Sequence, residues 1–184
     1  IVTDHIDHFD DKGIQLKSGE RIDCDVVVTA TGFEMSVMGE IPFSVDSQTV
    51  NFAETDSYRG IMFTGVPNMA WVYGYGRYSW TLRAELIAEF VCTLLQHMQE
   101  RNLASVKPAM RPEDTDMQLL PWIDPQDMNA GYALRGVDRM PKRGSKPEWQ
   151  HSQDYLYERE VLPSVDFSDE IFVYTAARQH GQHD

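Results

Sequence analysis

Leu82, Leu86, Phe90, Leu94 and Met98 recur every four positions, with Ile87, Val91 and Leu95 beside them. That spacing predicts an amphipathic helix from about Trp80 to Glu100, with Ser79 or Thr81 as N-cap and Asn102 as the stop. So broad an apolar face predicts a sheet against which it packs. Upstream the period falls to two. Val2, Ile6 and Phe9 are apolar among polar neighbours, Asp10-Asp11-Lys12-Gly13 and Lys17-Ser18-Gly19-Glu20 carry turn chemistry, and Gly13 to Leu16 alternates as a half-exposed strand does. The run Asp25-Val26-Val27-Val28-Thr29-Ala30 is almost continuously apolar and β-branched, which predicts a strand covered on both faces, as in a parallel α/β sheet. It ends at Thr31-Gly32-Phe33, where Gly32 can take a backbone angle closed to other residues.

Residues 34 to 57 read as irregular, with a weak strand around Phe43 to Val45. Further apolar strands are expected at Ile61 to Thr64 and at Met69 to Tyr73, separated by Gly65-Val66-Pro67-Asn68. Residues 25–30 and 61–64 are expected to be core strands of one sheet under the helix. Six of the nine prolines lie between residues 103 and 150 (Pro108, Pro112, Pro121, Pro125, Pro141, Pro147), which argues for an extended segment wrapping the domain, with short turns near Pro125 to Asn129. It is expected to hold little core of its own, anchored by Trp122, Tyr132, Leu134 and Trp149. A helix from about Ser152 to Leu162, a strand at Ile171 to Tyr174 and a frayed tail from Arg178 to Asp184 follow.

Composition then limits the function. The chain has 184 residues, 42% hydrophobic and 24% charged, the make-up of a folded protein of about one domain. Its formal charge of −13 is the wrong sign for a phosphate backbone or an anionic membrane, so no nucleic-acid partner is expected. No apolar stretch approaches the ~20 residues that span a bilayer, and no basic-then-apolar leader opens the chain, so a cytoplasmic protein without a transmembrane segment is expected. The chain opens on Ile1 and reads as strand from the start, as if it began inside a longer polypeptide. Cys24 and Cys92 lack CxxC spacing and read as buried thiols of a reducing compartment.

Gly74-Tyr75-Gly76-Arg77-Tyr78-Ser79 stands between a strand pattern and a helix, like a dinucleotide fingerprint. The second strand and acidic ribose-binding residue that such a unit needs do not follow. What remains is a glycine-rich turn at a helix N-terminus: either geometry alone, or a place where something flat and electron-rich meets the first N–H groups. Trp71, Tyr73, Tyr75, Tyr78 and Trp80 crowd five aromatics around it, as a core or a planar-ligand site would. Ser79 is not in a GxSxG elbow, and neither cysteine has a histidine near it in sequence. His5 and His8, three apart on a strand, point to opposite faces, so no metal site is expected. Glu113-Asp114-Thr115-Asp116 reads as a solvated acidic loop without the spacing of a calcium site. No catalytic residue is assigned.

Asp25 to Phe33 with its ATG-Phe ending, then Gly65-Val66-Pro67-Asn68-Met69, then Ser79-Trp80-Thr81-Leu82 before a long helix, together resemble the C-terminal part of class B flavoprotein monooxygenases, the flavin-containing and Baeyer-Villiger type, especially the ethionamide-activating branch. The likeness continues through Gly131-Tyr132-Ala133-Leu134-Arg135 and Pro141-Lys142-Arg143-Gly144-Ser145 to Gln153 and Tyr155-Leu156. The resemblance implies an α/β protein, a partial three-layer, Rossmann-like FAD/NAD(P)-binding fold with a β-meander and one long helix, followed by a Pro-rich wrapping segment. Residues 1–33 would close the NADPH domain, 34–102 form the flavin-facing part of the FAD domain, and 103–184 wrap it.

The resemblance also implies FAD and NADPH as cofactors and transfer of one oxygen atom from O2 to a ketone, sulfide or thioamide. It turns Thr31, Gly32, Gly65, Asn68, Gly76, Ser79, Trp80 and Thr81 toward the cofactor, with the helix N-terminus at the pyrimidine end of the flavin. Both glycine fingerprints and the active-site arginine of that family fall upstream of the residues present. The expectation is therefore a portion whose partners are the missing FAD and NADPH domains, inactive alone, binding FAD weakly or not at all, and self-associating through uncovered apolar positions near Phe33, Val66, Trp71 and Trp80. The alternative is a stand-alone binding or oligomerising module without catalytic activity. Flavin colour retained by the purified chain would separate the two.

Overall fold

The computed structural model describes residues 1–124, 126, 128 and 130–177, which fall into two compact units divided between Phe33 and Glu34. The first is an antiparallel meander of β1 (Ile6–Phe9), β2 (Gly13–Leu16) and β3 (Arg21–Asp23), with Phe9 opposite Ile14 and Ile14 opposite Ile22. Its first turn is fixed by Asp10, whose Oδ1 accepts from the N–H of Lys12 at 2.8 Å and of Gly13 at 2.9 Å while Arg21 forks onto both carboxylate oxygens. The strand expected at residues 25–30 is absent. Val26 and Val28 are 75% and 83% exposed. A strand buried on both faces needs paired strands beside it and layers packed on each face, and no described strand pairs with this segment.

The second unit is mixed α/β with small sheets and few helices. It begins with two hairpins, β4 (Ser44–Val45) with β5 (Gln48–Thr49), and β6 (Ser57–Tyr58) with β7 (Met62–Phe63). Asp46 and Ser47, at φ 49° and 67°, both take the left-handed backbone that matches a two-residue turn to strand twist. Helix α1 (Trp80–Glu100) follows, then β8 (Leu103–Pro108), β9 (Leu119–Pro121), α2 (Gly131–Gly136), β10 (Lys142–Gly144), α3 (Tyr155–Val161) and β11 (Phe172–Ala176). β8 pairs with β11 and β9 with β10; every described ladder is antiparallel. Residues 25–30 and 61–64 thus share no sheet, and Met69 to Tyr73 is an extended stretch outside any ladder, held by Trp71 N–H donating to Ile61 C=O at 2.8 Å.

Leu86, Ile87, Phe90, Leu94 and Met98 of α1 are buried against Val106 of β8, Phe172 of β11, Met62 and the 3-10 turn at Leu162. Leu82 is half-buried and Leu95 is 58% exposed, so the buried stripe is narrower than its sequence pattern. A second core gathers Phe52, Phe63, Val66, Trp122, Ile123, Ala133 and Met140. The Pro-rich segment is therefore not a thin wrap. Prolines shorten its elements without keeping its side chains from the core, and it buries Val106, Met117, Trp122 and Trp149. Trp122 and Trp149 anchor as expected, whereas Tyr132 and Leu134 lie on the outer face of α2, 39% and 38% exposed. Val66 is buried, contrary to its expected exposure.

Two smaller expectations also fail. Asp114, read as part of a solvated loop, is fully buried because Arg111, Lys146 and Trp149 converge on its carboxylate. Cys92 is exposed and Cys24 intermediate, so neither is a core thiol. The turns expected at Pro125 to Asn129 fall partly, and the tail from Arg178 wholly, outside the described residues. Among the described residues no helix is long and apolar enough to cross a membrane, and no group of His, Cys, Asp and Glu could hold a metal ion.

Candidate functional site

The glycine-rich turn and the start of α1 form one exposed junction. Ser79 is the N-cap by backbone conformation, yet its side chain caps nothing, and its Oγ lies 2.8 Å from Thr81 Oγ1 instead. The first turn holds no acidic residue. A 21-residue helix therefore begins with its early N–H donors, those of Trp80 and Thr81, uncapped by side chains and its positive end facing outward. The Trp80 ring beside them is 54% exposed.

Two glycines set the approach. At Gly74 a Cβ would sit 2.3 Å from Cδ2 of Trp80 and 2.9 Å from its Cα, so hydrogen alone lets the turn pack on the helix. At Gly76 the nearest atoms would be Met128 Cε at 3.2 Å and Gln153 Oε1 at 3.6 Å, and its N–H donates to that same Gln153 oxygen at 2.8 Å. The aromatics divide between roles. Tyr75 is buried, while Tyr73 bridges Trp80 at 5.5 Å and Trp122 at 5.3 Å between ring centres. The His151 ring lies tilted against that of Trp122, 4.3 Å between ring centres. Its Nε2 lies 2.6 Å from Trp122 C=O and so carries the hydrogen, and burial pushes its pKa down to about 4, leaving a neutral ring.

Beneath the junction lies a buried ion pair. Arg83 Nε and Nη2 donate to Glu158 at 2.9 and 3.0 Å, and Tyr75 O–H donates to Glu158 Oε2 at 2.5 Å. Burial and then the Glu158 hydrogen bond hold the Tyr75 phenol protonated, far above the ordinary tyrosine range. Sequence reading missed this group. Its signal was present: Arg83 is in phase with Ile87, Phe90 and Leu94, a cation inside the apolar stripe.

Gly76, Ser79, Trp80 and Thr81 are thus brought together and exposed. Gly65, at φ 76°, lies in the turn after β7, and Thr31 and Gly32 (φ 80°) lie on exposed backbone of the first unit. Asn68 is elsewhere. Its side chain donates to Ala104 C=O at 3.2 Å and accepts from Val106 N–H at 3.0 Å, which ties it to β8, the strand entered from the far end of a helix about 30 Å long.

No protein-family model and no solved structure matches the chain. Among curated proteins it is 37% identical over 178 residues to the FAD-containing monooxygenase EthA of Mycolicibacterium smegmatis, a match covering 97% of this chain and 35% of that protein. It is 35% identical to the probable FAD-binding monooxygenase AlmA of an Acinetobacter species, over 95% of this chain and 34% of that one. It is 34% identical to the putative FAD-containing monooxygenase MymA of Mycobacterium tuberculosis, over 97% and 35% respectively. The chain spans about a third of the length of the curated relatives it matches. With likeness of this kind along nearly its whole length, the chain is a homologue of the C-terminal portion of the FAD-containing monooxygenases.

Proposed function

We propose that this chain is the flavin-facing portion of an FAD- and NADPH-dependent monooxygenase that transfers one oxygen atom of O2 to a ketone, sulfide or thioamide. The observation that carries the reading is the uncapped N-terminus of α1 beside the exposed Trp80 ring and Gly76. Donors of that kind suit the electron-rich carbonyl edge of an isoalloxazine ring. Bound FAD would supply hydride acceptance from NADPH and activation of O2. The N–H groups of Trp80 and Thr81 would orient its pyrimidine edge, Ser79 would line the approach, and Gly76 would keep the backbone open to it. Thr31, Gly32 and Gly65 belong to the same proposal as exposed backbone, and Asn68 as a residue tied by its side chain to β8.

In this reading a three-layer, Rossmann-like fold is completed by FAD and NADPH domains outside these residues, and the protein is cytoplasmic. Val26 to Val28 would then find there the strand neighbours their pattern calls for. The chain alone would be inactive. A few hydrogen bonds at about 0.5 to 1.5 kcal/mol each, set against several kcal/mol of lost ligand freedom, fall short of tight binding. Titration of FAD followed by flavin fluorescence, with NADPH-dependent oxygen uptake, is the test. Neither saturation at micromolar FAD nor uptake is expected, and either one overturns the assignment of the nucleotide-gripping machinery to residues elsewhere. Self-association through the exposed positions among those expected, Phe33 and Trp80, is part of the proposal. Sedimentation as a clean 21.1 kDa monomer at high concentration overturns it.

A further inference from the structure

Arg83 and Glu158 are both almost wholly buried, and their hydrogen bonds reach four separate stretches of chain. Besides its two bonds to Glu158, Arg83 donates through Nη1 to Tyr73 C=O at 2.6 Å and through Nη2 to Arg59 C=O at 2.7 Å. Glu158 belongs to α3 and takes the Tyr75 hydroxyl as a further donor. One guanidinium and one carboxylate thereby join the β6–β7 turn, the Tyr73 to Tyr75 stretch, the first turn of α1 and α3. A second tie runs the same way, from Gly76 N–H to Gln153, just before α3.

A buried ion pair adds little net stability over apolar packing of the same volume. It does provide direction, because the guanidinium fork accepts only certain acceptor positions. Here its bond to Tyr73 C=O fixes the backbone that enters α1, and its bonds to Arg59 C=O and Glu158 hold the first turn of the helix to the β6–β7 turn and to α3. Glu158 also neutralises a cation set next to the positive end of the helix, so that end stays available to an outside acceptor.

We infer that Arg83, Glu158 and Tyr75 are positioning residues, which lock the Tyr73 to Gly76 backbone against the first turn of α1 so that Gly76 and the N–H groups of Trp80 and Thr81 meet a flavin ring as one preset surface. The inference rests on the flavin reading above. It separates two properties that usually move together, the stability of the fold and the affinity of the junction for the ring.

The experiment titrates FMN, which carries the isoalloxazine ring without the adenine half, into the isotopically labelled chain and follows the Trp80 and Thr81 amides by NMR. The parent is compared with Tyr75→Phe and with the double variant Arg83→Met/Glu158→Leu, whose apolar pair replaces the ion pair at similar volume. Saturable shifts at both amides in the parent at millimolar FMN are expected, weakened fivefold or more in both variants while melting temperatures stay within a few degrees. If the variants bind FMN as the parent does, positioning is overturned and the flavin reading stands. If the parent shows no shift at Trp80 and Thr81, the flavin reading fails and this inference with it. Should the double variant not fold, Tyr75→Phe decides, since it removes one hydroxyl and keeps the ring.

Discussion

Trp149 Nε1 donates to Asp114 Oδ2 at 3.2 Å, and both side chains are fully withdrawn from water. Arg111 Nε and Lys146 Nζ bond the same carboxylate at 2.9 and 2.8 Å, so a residue in an acidic run becomes the centre of a buried clasp. Burial by itself would raise the pKa of Asp114, and the bonds from Arg111, Lys146 and Trp149 outweigh it and hold the carboxyl well below the usual carboxylate range.

A carboxyl depressed in the folded state stabilises the fold above its unfolded pKa of about 3.9, and that contribution is lost as pH falls toward the folded value. Asp114→Asn keeps the shape and removes the charge from two cations, which is expected to cost about 3 to 5 kcal/mol at pH 7. Chemical denaturation of parent and variant checks it. The gap between them should narrow steadily below about pH 4 and be flat above pH 6.

The two sides of α1 give a second contrast. Leu86 is 7% exposed in the main core and Leu95 is 58% exposed. Leu86→Asp buries a charge without a partner and should cost several kcal/mol, to the point of losing cooperative unfolding. Leu95→Ser should change stability by no more than about 0.5 kcal/mol. Equal losses in thermal melts would mean that the helix packs through a different face.

Why α1 was readable from sequence and Val26 to Val28 was not follows from what a pattern encodes. The stripe of α1 is answered by Val106, Phe172 and Leu162 of the same chain, so pattern and burial agree at Leu86, Ile87, Phe90, Leu94 and Met98 and part at Leu82 and Leu95. The β-branched run at 26–28 encodes a place inside a sheet covered on both faces, and no described strand pairs with it. Asp114 was opaque because its partner Lys146 lies 32 positions away, beyond any local spacing rule. The candidate junction was legible because turn and helix are contiguous, while Arg83–Glu158, 75 positions apart, left only the mark of a cation in an apolar stripe.

Gly74 and Gly76 should respond differently to the same added methyl. In Gly74→Ala the new Cβ meets the Trp80 ring and backbone at 2.3 to 2.9 Å, and backbone cannot step aside. A loss of about 1 to 3 kcal/mol is expected, with a shifted tryptophan emission as Trp80 moves. In Gly76→Ala the nearest atom is the flexible end of Met128 at 3.2 Å, so stability should hold within about 0.5 kcal/mol. Matching denaturation curves for the two variants would contradict the packing of the turn on the helix.

The last contrast lies between two helix starts. Asp154 caps α3 fully, its Oδ1 accepting from the N–H of Leu156 at 2.9 Å and of Tyr157 at 3.2 Å. Ser79 stands at the same position of α1 and makes no such bond. Asp154→Ala should therefore show the ordinary penalty for a lost cap, about 0.5 to 2 kcal/mol, whereas Ser79→Ala should cost less than about 0.5 kcal/mol. The small loss at Ser79 has a chemical meaning. A helix whose first donors are met by its own cap has less to offer a ligand, and one left uncapped keeps those donors and its positive end for something outside. Urea denaturation of both variants measures the difference. A loss at Ser79 as large as that at Asp154 would show that its hydroxyl caps the helix in solution, and the case for an acceptor docking on Trp80 and Thr81 would lose its first premise.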